Sequence, residues 1–347
     1  MNKKIIALIF FTIIGALAFM NNRNIKYYHF NKELTFTKKG WKGNLMLDNQ
    51  FVNQDKKKPQ NFTTFIKWRL STNPFKKEKK NEIYSLKIRE DNSFINSSKD
   101  GIQWLGHSSF IIRLNGVTIT TDPVYFPMTG VKRLSKMPLS PDKITPIDYL
   151  LITHGHRDHF DRKSFKIIAK KNPNMIALIP LKFTPLIGKK VKSQEAGWYQ
   201  RYKTNSQITI DFVPAFHWHK RGITDFNNIL WGSFIIRSKN KTIFFCGDSS
   251  YGPHFKEIGK LYGPIDICIM PIGAYRPSYM MKDSHMTPEE SYKAFKDLKG
   301  KIMIPMHYGT YDLADELRGE PEKRIRVLGK KNPGTVKIIS PGETFTL

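Results

Sequence analysis

Tyr149-Leu150-Leu151-Ile152-Thr153-His154-Gly155-His156-Arg157-Asp158-His159 is an apolar run that ends in three imidazoles and one carboxylate. Folding that much polarity beside a buried strand is costly unless every group finds a partner. A divalent ion is one partner for several groups at once. Neutral imidazole and carboxylate are preferred ligands of zinc and similar ions, and a turn leaving a strand directs alternate side chains into one cleft. The spacing suits two ions, with His154 and His156 serving the first and Asp158 and His159 a second a few ångströms away. A solvated cluster of surface histidines is the plainer alternative, and the remainder of the sequence decides between them.

Downstream, each further candidate ligand stands just past a strand-like run. Pro214-Ala215-Phe216-His217-Trp218 follows Ile208 to Val213, Gly247-Asp248 follows the run from Thr242, and Pro305-Met306-His307-Tyr308-Gly309 ends the run from Ile302. Strand ends are where a rigid scaffold displays reactive groups. Nine of the ten histidines lie from His107 onward, which favours a site over a scatter.

From Gly101 the chain reads as mixed strands and helices. Ile102 to Leu105, Phe110 to Leu114 and Val117 to Thr121 are strand-like, and Asn115-Gly116 between the last two is a hairpin signal. Further strands are expected at Met175 to Ile179, Ile208 to Val213, Ile229 to Ile236, Thr242 to Cys246, Ile267 to Met270 and Ile302 to Met306. Helical patterns mark Arg162 to Lys171 behind Asp161 as cap, His254 to Tyr262, Pro288 to Leu298 behind Thr287, and a last helix beginning at Ala314 to Leu317. Mixed elements without a strict βαβ repeat predict an α/β (α+β) protein, an αββα sandwich of two mixed sheets flanked by helices.

The 347 residues suffice for one large or two ordinary domains, and 40% hydrophobic with 13% aromatic content supports a sizeable core. Three regions are expected: 1–20 as a signal peptide or membrane anchor, 21–100 as a basic N-terminal arm, and 101–347 as the folded domain. Ile5 to Met20 is an uninterrupted apolar run behind Lys3 and Lys4. As a helix it spans roughly 24 Å, short of a hydrocarbon core of about 30 Å, which leans towards a signal peptide. Cleavage after Ala18 would leave Phe19-Met20 at the new terminus, so an uncleaved anchor stays open. Either implies a chain exported to, or anchored facing, a bacterial periplasm; a cytoplasmic protein peripheral to the membrane is the alternative. In the arm, Phe62 to Leu70 reads as an amphipathic helix that packs on the main domain or lies on a membrane. The net charge of +28 favours an anionic partner, phospholipid or nucleic acid. No nucleic-acid-binding module or aromatic-basic motif is present, which argues against the latter. Cys246 and Cys268, the two cysteines, lie in apolar runs as core cysteines do and do not demand a disulfide.

The HxHxDH turn, a later His, a Gly-Asp and a final His, in that order, resemble the metallo-β-lactamase superfamily. Trp104-Leu105-Gly106-His107-Ser108-Ser109, Thr121-Asp122-Pro123, His217-Trp218, Asn228-Ile229-Leu230-Trp231-Gly232, Pro271-Ile272-Gly273-Ala274-Tyr275 and Pro288-Glu289-Glu290 resemble, within it, the branch of N-acylphosphatidylethanolamine-hydrolysing phospholipases D and their bacterial relatives. The likeness runs from about Gly101 to Tyr311. It implies that His154, His156 and His217 hold a first metal, that Asp158, His159 and His307 hold a second, and that Asp248 bridges them. Two zinc ions are expected, although iron or manganese suits the same ligands. His156 stands where electron-transfer relatives carry glutamate, which favours hydrolysis.

The chemistry so implied is attack on a phosphodiester, in a phospholipid, by water activated between two cations, with Asp158 orienting the nucleophile. His285 matches a branch position beside the phosphate and is expected to stabilise the anion or protonate the leaving oxygen; a structural loop histidine is the bland reading. His107, His219 and His254 are expected to be supporting or structural. Two departures bear on substrate: Arg157 stands where the mammalian phospholipase has an aromatic residue, and Phe234 replaces a tryptophan. Alternatives are a lactonase or other ester hydrolase with the same metals, a nuclease, and a metal-containing lipid-binding protein without turnover. The resemblance implies a membrane surface and a homodimer as partners.

Overall fold

The computed structural model describes residues 25–53 and 62–347. The expected leader at 1–20 lies outside them. In chain order the strands are β1 (Lys26–His29), β2 (Thr35–Phe36), β3 (Asn44–Leu47), β4 (Gln50–Phe51), β5 (Gly101–Gly106), β6 (Ser109–Leu114), β7 (Val117–Thr121), β8 (Tyr149–Leu151), β9 (Ile176–Pro180), β10 (Ser193–Ala196), β11 (Gln200–Arg201), β12 (Thr209–Val213), β13 (Ser233–Arg237), β14 (Thr242–Phe245), β15 (Ile265–Pro271), β16 (Gly300–Met306) and β17 (Thr344–Thr346). The helices are α1 (Phe62–Leu70), α2 (Lys76–Asn81), α3 (Ser93–Asn96), α4 (Arg162–Lys171), α5 (Thr184–Ile187), α6 (His254–Tyr262), α7 (Ser278–Met281), α8 (Pro288–Asp297) and α9 (Glu320–Lys331).

Two seven-stranded sheets result, in the orders β10-β9-β8-β7-β6-β5-β17 and β16-β15-β14-β13-β12-β11-β2, beside a small sheet β1-β3-β4. The expected sandwich is the observed one. Asn115 and Gly116 both take positive φ, 53° and 78°, and turn β6 into β7 with Leu114 opposite Val117, as a two-residue hairpin requires. Along the first sheet the side chains alternate strictly. Trp104, Phe110, Ile112, Ile119 and Leu151 enter the core shared with the second sheet, while Leu105, Ile111, Leu150, Ala177 and Ile179 pack under Phe165 and Ile168 of α4. A sheet with both faces covered gains about 1.5–3 kcal/mol from each large side chain so buried. Asp161 accepts from the amides of Lys163 and Ser164 at the start of α4, and Thr287 with Glu290 forms a reciprocal capping box at the start of α8.

Direction is what makes a site of these strands. β7, β8, β9 and β10 run parallel, as do β14, β15 and β16. β5 and β12 regain the same sense through two antiparallel steps each. The carboxyl ends of β5, β7 and β8 therefore gather on one edge of their sheet, and those of β12, β14, β15 and β16 on one edge of the other.

Three expectations need correction. The described residues of the basic stretch 21–100 pack on the domain and do not form an extended arm: β2 pairs with β11 at the edge of the second sheet, and Leu34, Met46, Phe51 and Leu86 are buried. Scattered apolar residues carry this packing while the lysines between them stay outside, so average polarity conceals it. Farther along, Glu82 accepts from the amides of Arg318 at 2.8 Å and Gly319 at 2.9 Å, Tyr84 bonds Glu322 at 2.6 Å, and Trp68 of α1 donates to Asp315. The last helix begins at Glu320, not at Ala314 to Leu317, because Asp315 and Glu316 in that stretch serve as loop acceptors; Glu316 takes the amides of Ala274, Tyr275 and Arg276. The strand expected from Ile229 starts only at Ser233. Cys246 and Cys268 are buried free thiols, and among the described residues no helix is long and apolar enough to cross a membrane.

Candidate metal centre

All seven residues read as ligands arrive at the gathered strand ends. Beyond β8 the chain turns through Thr153 to Phe160, closed by the amides of His159 and Phe160 on the carbonyl of His156 at 3.2 and 2.9 Å. Beyond β12 comes His217, beyond β14 Asp248, and beyond β16 His307. Gly247 holds φ +63°, and a Cβ there would stand 2.6 Å from Thr153 Cγ2. Only glycine lets the Asp248 loop pass so close to the histidine turn.

His154, His156 and His217 form a three-histidine set. His156 Nδ1 lies 3.0 Å from both His154 Nε2 and His217 Nε2. Each of the other nitrogens of His154 and His217 is committed, to Thr153 Oγ1 at 2.9 Å and to the carbonyl of Ser284 at 3.1 Å. Burial holds His154 and His217 well below the ordinary imidazole value and brings His156 down to about 3. The three are thus neutral, with nitrogens converging on one point, as ligands of a tetrahedral ion do.

The second set contains carboxylate. Asp158 Oδ2 lies 3.5 Å from His159 Nε2, 3.4 Å from His307 Nε2 and 3.2 Å from His107 Nε2. Asp248 touches both sets: its Oδ1 is 3.1 Å from His307 Nε2, and its Oδ2 is 3.2 Å from His159 Nε2 and 3.9 Å from His217 Nε2. Burial opposes ionisation of Asp158 and Asp248, but His159 above all holds both carboxyls well below their usual range. Burial likewise opposes charge on His159 and His307, yet Asp248 and Asp158 outweigh it, lifting His307 to about 9 and His159 well above its ordinary value. The electrostatics therefore call for positive charge at this point.

These residues fit a divalent metal. His159 Nε2, His307 Nε2 and Asp248 Oδ1 are buried and lie outside hydrogen-bonding geometry, a costly state that coordination relieves. The donor set is nitrogen and oxygen only, which suits zinc, iron or manganese.

Three residues support the ligands, and of these the sequence reading gave no role to Asp122 and Arg221. Asp122, fully buried after β7, accepts His159 Nδ1 at 2.7 Å, Thr153 Oγ1 at 2.7 Å and the Thr153 amide at 2.8 Å. It fixes the His159 tautomer so that Nε2 faces the cluster. In the sequence it stands out only as part of Thr121-Asp122-Pro123, one of the motifs of the resembled branch, at a strand end. His107, expected to be supporting or structural, abuts Asp158 from the β5–β6 turn. Arg221 donates to three carbonyls of the histidine turn. Elsewhere, His285 lies 3.7 Å from Asp248 Oδ2 through Nδ1, with burial pushing it down to about 4. His254 bonds Ser249 Oγ at 3.1 Å, and the same oxygen accepts the Phe216 amide at 2.9 Å, tying the His217 and Asp248 loops together. Arg157 is exposed and donates to the Arg221 carbonyl at 3.3 Å.

The chain belongs to the β-lactamase superfamily, whose domain matches residues 118–308, and with its relatives this makes it a metal-dependent hydrolase. It is 31% identical to N-acyl-phosphatidylethanolamine-hydrolyzing phospholipase D 1 of Caenorhabditis elegans over 247 residues, 65% of this chain and 68% of that protein. It is 30% identical to a metal-dependent hydrolase of Staphylothermus marinus over 251 residues, 71% of this chain and 98% of that one. In fold it is similar to a metallo hydrolase of the archaeon Ignicoccus hospitalis, with a TM-score of 0.55 at 22% identity, covering 72% of this chain and 98% of that chain.

Proposed function

We propose that this hydrolase holds two zinc ions and cleaves a phosphodiester of phospholipase D type, in an N-acylphosphatidylethanolamine-like lipid at a membrane surface. The observation that carries the dinuclear reading is Asp248, whose two oxygens reach ligand atoms of both sets. The substrate class is supported by the name of the Caenorhabditis elegans relative and by the net charge of +28, which suits an anionic lipid surface.

His154, His156 and His217 would hold one ion, Asp158, His159 and His307 the other, and Asp248 both. Bound there, the ions supply Lewis acidity and make water nucleophilic near neutral pH. The chain's own groups do the rest. Asp158, kept ionised, accepts a hydrogen bond from the attacking water and orients it. Asp122 and His107 hold His159 and Asp158 in place. His285 enters neutral and donates its N–H to a phosphoryl oxygen as negative charge grows there, a stabilisation that acts in the transition state.

The test is incubation of purified protein with N-acylphosphatidylethanolamine vesicles, before and after chelation and after zinc is restored. Phosphatidic acid and N-acylethanolamine should form, vanish and return. Hydrolysis of a lactone with no diester cleavage would overturn the substrate class.

A further inference from the structure

The loop that carries His217 continues as Trp218-His219-Lys220-Arg221-Gly222-Ile223-Thr224-Asp225, and it is fastened to the histidine turn by one side chain. Arg221 Nη1 lies 2.7 Å from the carbonyl of Gly155, 3.3 Å from that of His156 and 2.8 Å from that of Phe160. The guanidinium also sits over the Phe160 ring, 5.3 Å from its centroid. Asp225 holds the arginine's own backbone, taking the amides of Arg221 at 3.1 Å and Gly222 at 2.8 Å.

The two segments also meet at Gly155. A Cβ on that residue would stand 2.2 Å from His219 Cε1, so the His219 ring lies against bare backbone between His154 and His156. The half-buried guanidinium rests on carbonyl oxygens and aromatic carbon; burial, reinforced by Arg157 and Arg162 and opposed by Asp161 and Asp225, brings Arg221 down to about 10. All three contacts are made by Nη1, held in place by the guanidinium plane over the Phe160 ring, and a lysine ammonium lacks that plane.

We propose that Arg221 is a positioning residue that locks the turn bearing His154 and His156 to the loop bearing His217, and so sets the spacing of the three-histidine set. The two segments come from different sheets, and the three nitrogens of the set converge only if the segments keep their distance. This rests on the reading of that set as a metal site.

The experiment is Co2+ binding, in competition with a chelator, to the full-length protein and to its Arg221→Ala, Arg221→Lys, His156→Ala and His307→Ala variants, alongside melting of each in metal-free form. Arg221→Ala should weaken the site that His156→Ala removes by about 10–100-fold and leave the site that His307→Ala removes within about twofold. Millimolar guanidinium should restore affinity to Arg221→Ala but not to Arg221→Lys, which is expected to lie between. Unchanged affinity in Arg221→Ala, equal weakening of both sites, or loss without guanidinium rescue would overturn the proposal. Failure of the wild-type protein to bind Co2+ would instead overturn the metal reading beneath it.

Discussion

The two halves of the metal centre solve the same problem in opposite ways. The three-histidine set is neutral and held from behind by neutral groups, Thr153 and the Ser284 carbonyl. The carboxylate set is a lattice of charge in which Asp158 and Asp248 are ionised and His159 and His307 retain protons. In the first, His156 Nδ1 lies 3.0 Å from the Nε2 of both His154 and His217, and a single N–H there can satisfy only one of them, where a cation satisfies all three. In the second, protons can substitute for the cation and compete with it. The difference teaches that one half is organised by shape and the other by charge.

Removing the residue common to both halves should do most damage. Asp248→Ala is expected to lower kcat/KM by about 10⁴-fold and to release metal from both sets, measured by elemental analysis beside a steady-state assay; retention of both ions would break the symmetry argued for Asp248. His285→Ala should lower kcat about 10²–10³-fold with metal content intact, which separates a neutral donor to substrate from a further ligand. Asp122→Asn should act on the charged half alone, weakening metal affinity there about 10–100-fold through loss of His159 orientation, while the three-histidine set keeps its affinity in the same chelator titration. The mildest contrast is with pH. Because His307 holds its proton up to about 9, affinity of the charged half should fall about tenfold per unit for each proton displaced as pH drops below that value. The neutral half should stay flat far into acid, His156 taking a proton only near 3. Parallel pH profiles for the two halves would remove the distinction.

Much of this is legible in the amino-acid sequence. The seven candidate ligands each sit beyond a strand whose apolar run is visible in isolation, and α4, α6 and α8 announce themselves by periodicity and by Asp161 and Thr287 as caps. What was illegible depends on partners distant in sequence. β11 and β2 are two residues each and exist because they pair with one another and with β12, which no local propensity reveals. Whether His107 is supporting or structural stays open in the sequence because its neighbour Asp158 is fifty-one residues away. Ala314 to Leu317 looked helical because their spacing is right, but Asp315 and Glu316 are held by Trp68 and by the 274–276 amides, a tertiary demand that overrides propensity.

Leu86 rests on Gly309, two residues past His307, so closely that a Cβ on that glycine would come within 2.8 Å of it. With Glu82 and Tyr84 gripping Arg318, Gly319 and Glu322, the N-terminal segment is the outer wall of the loop that aims the last histidine. A recombinant fragment cut to the matched stretch 118–308 would carry all seven candidate ligands yet lose that wall. Expression boundaries for this hydrolase therefore belong well upstream of its first catalytic strand.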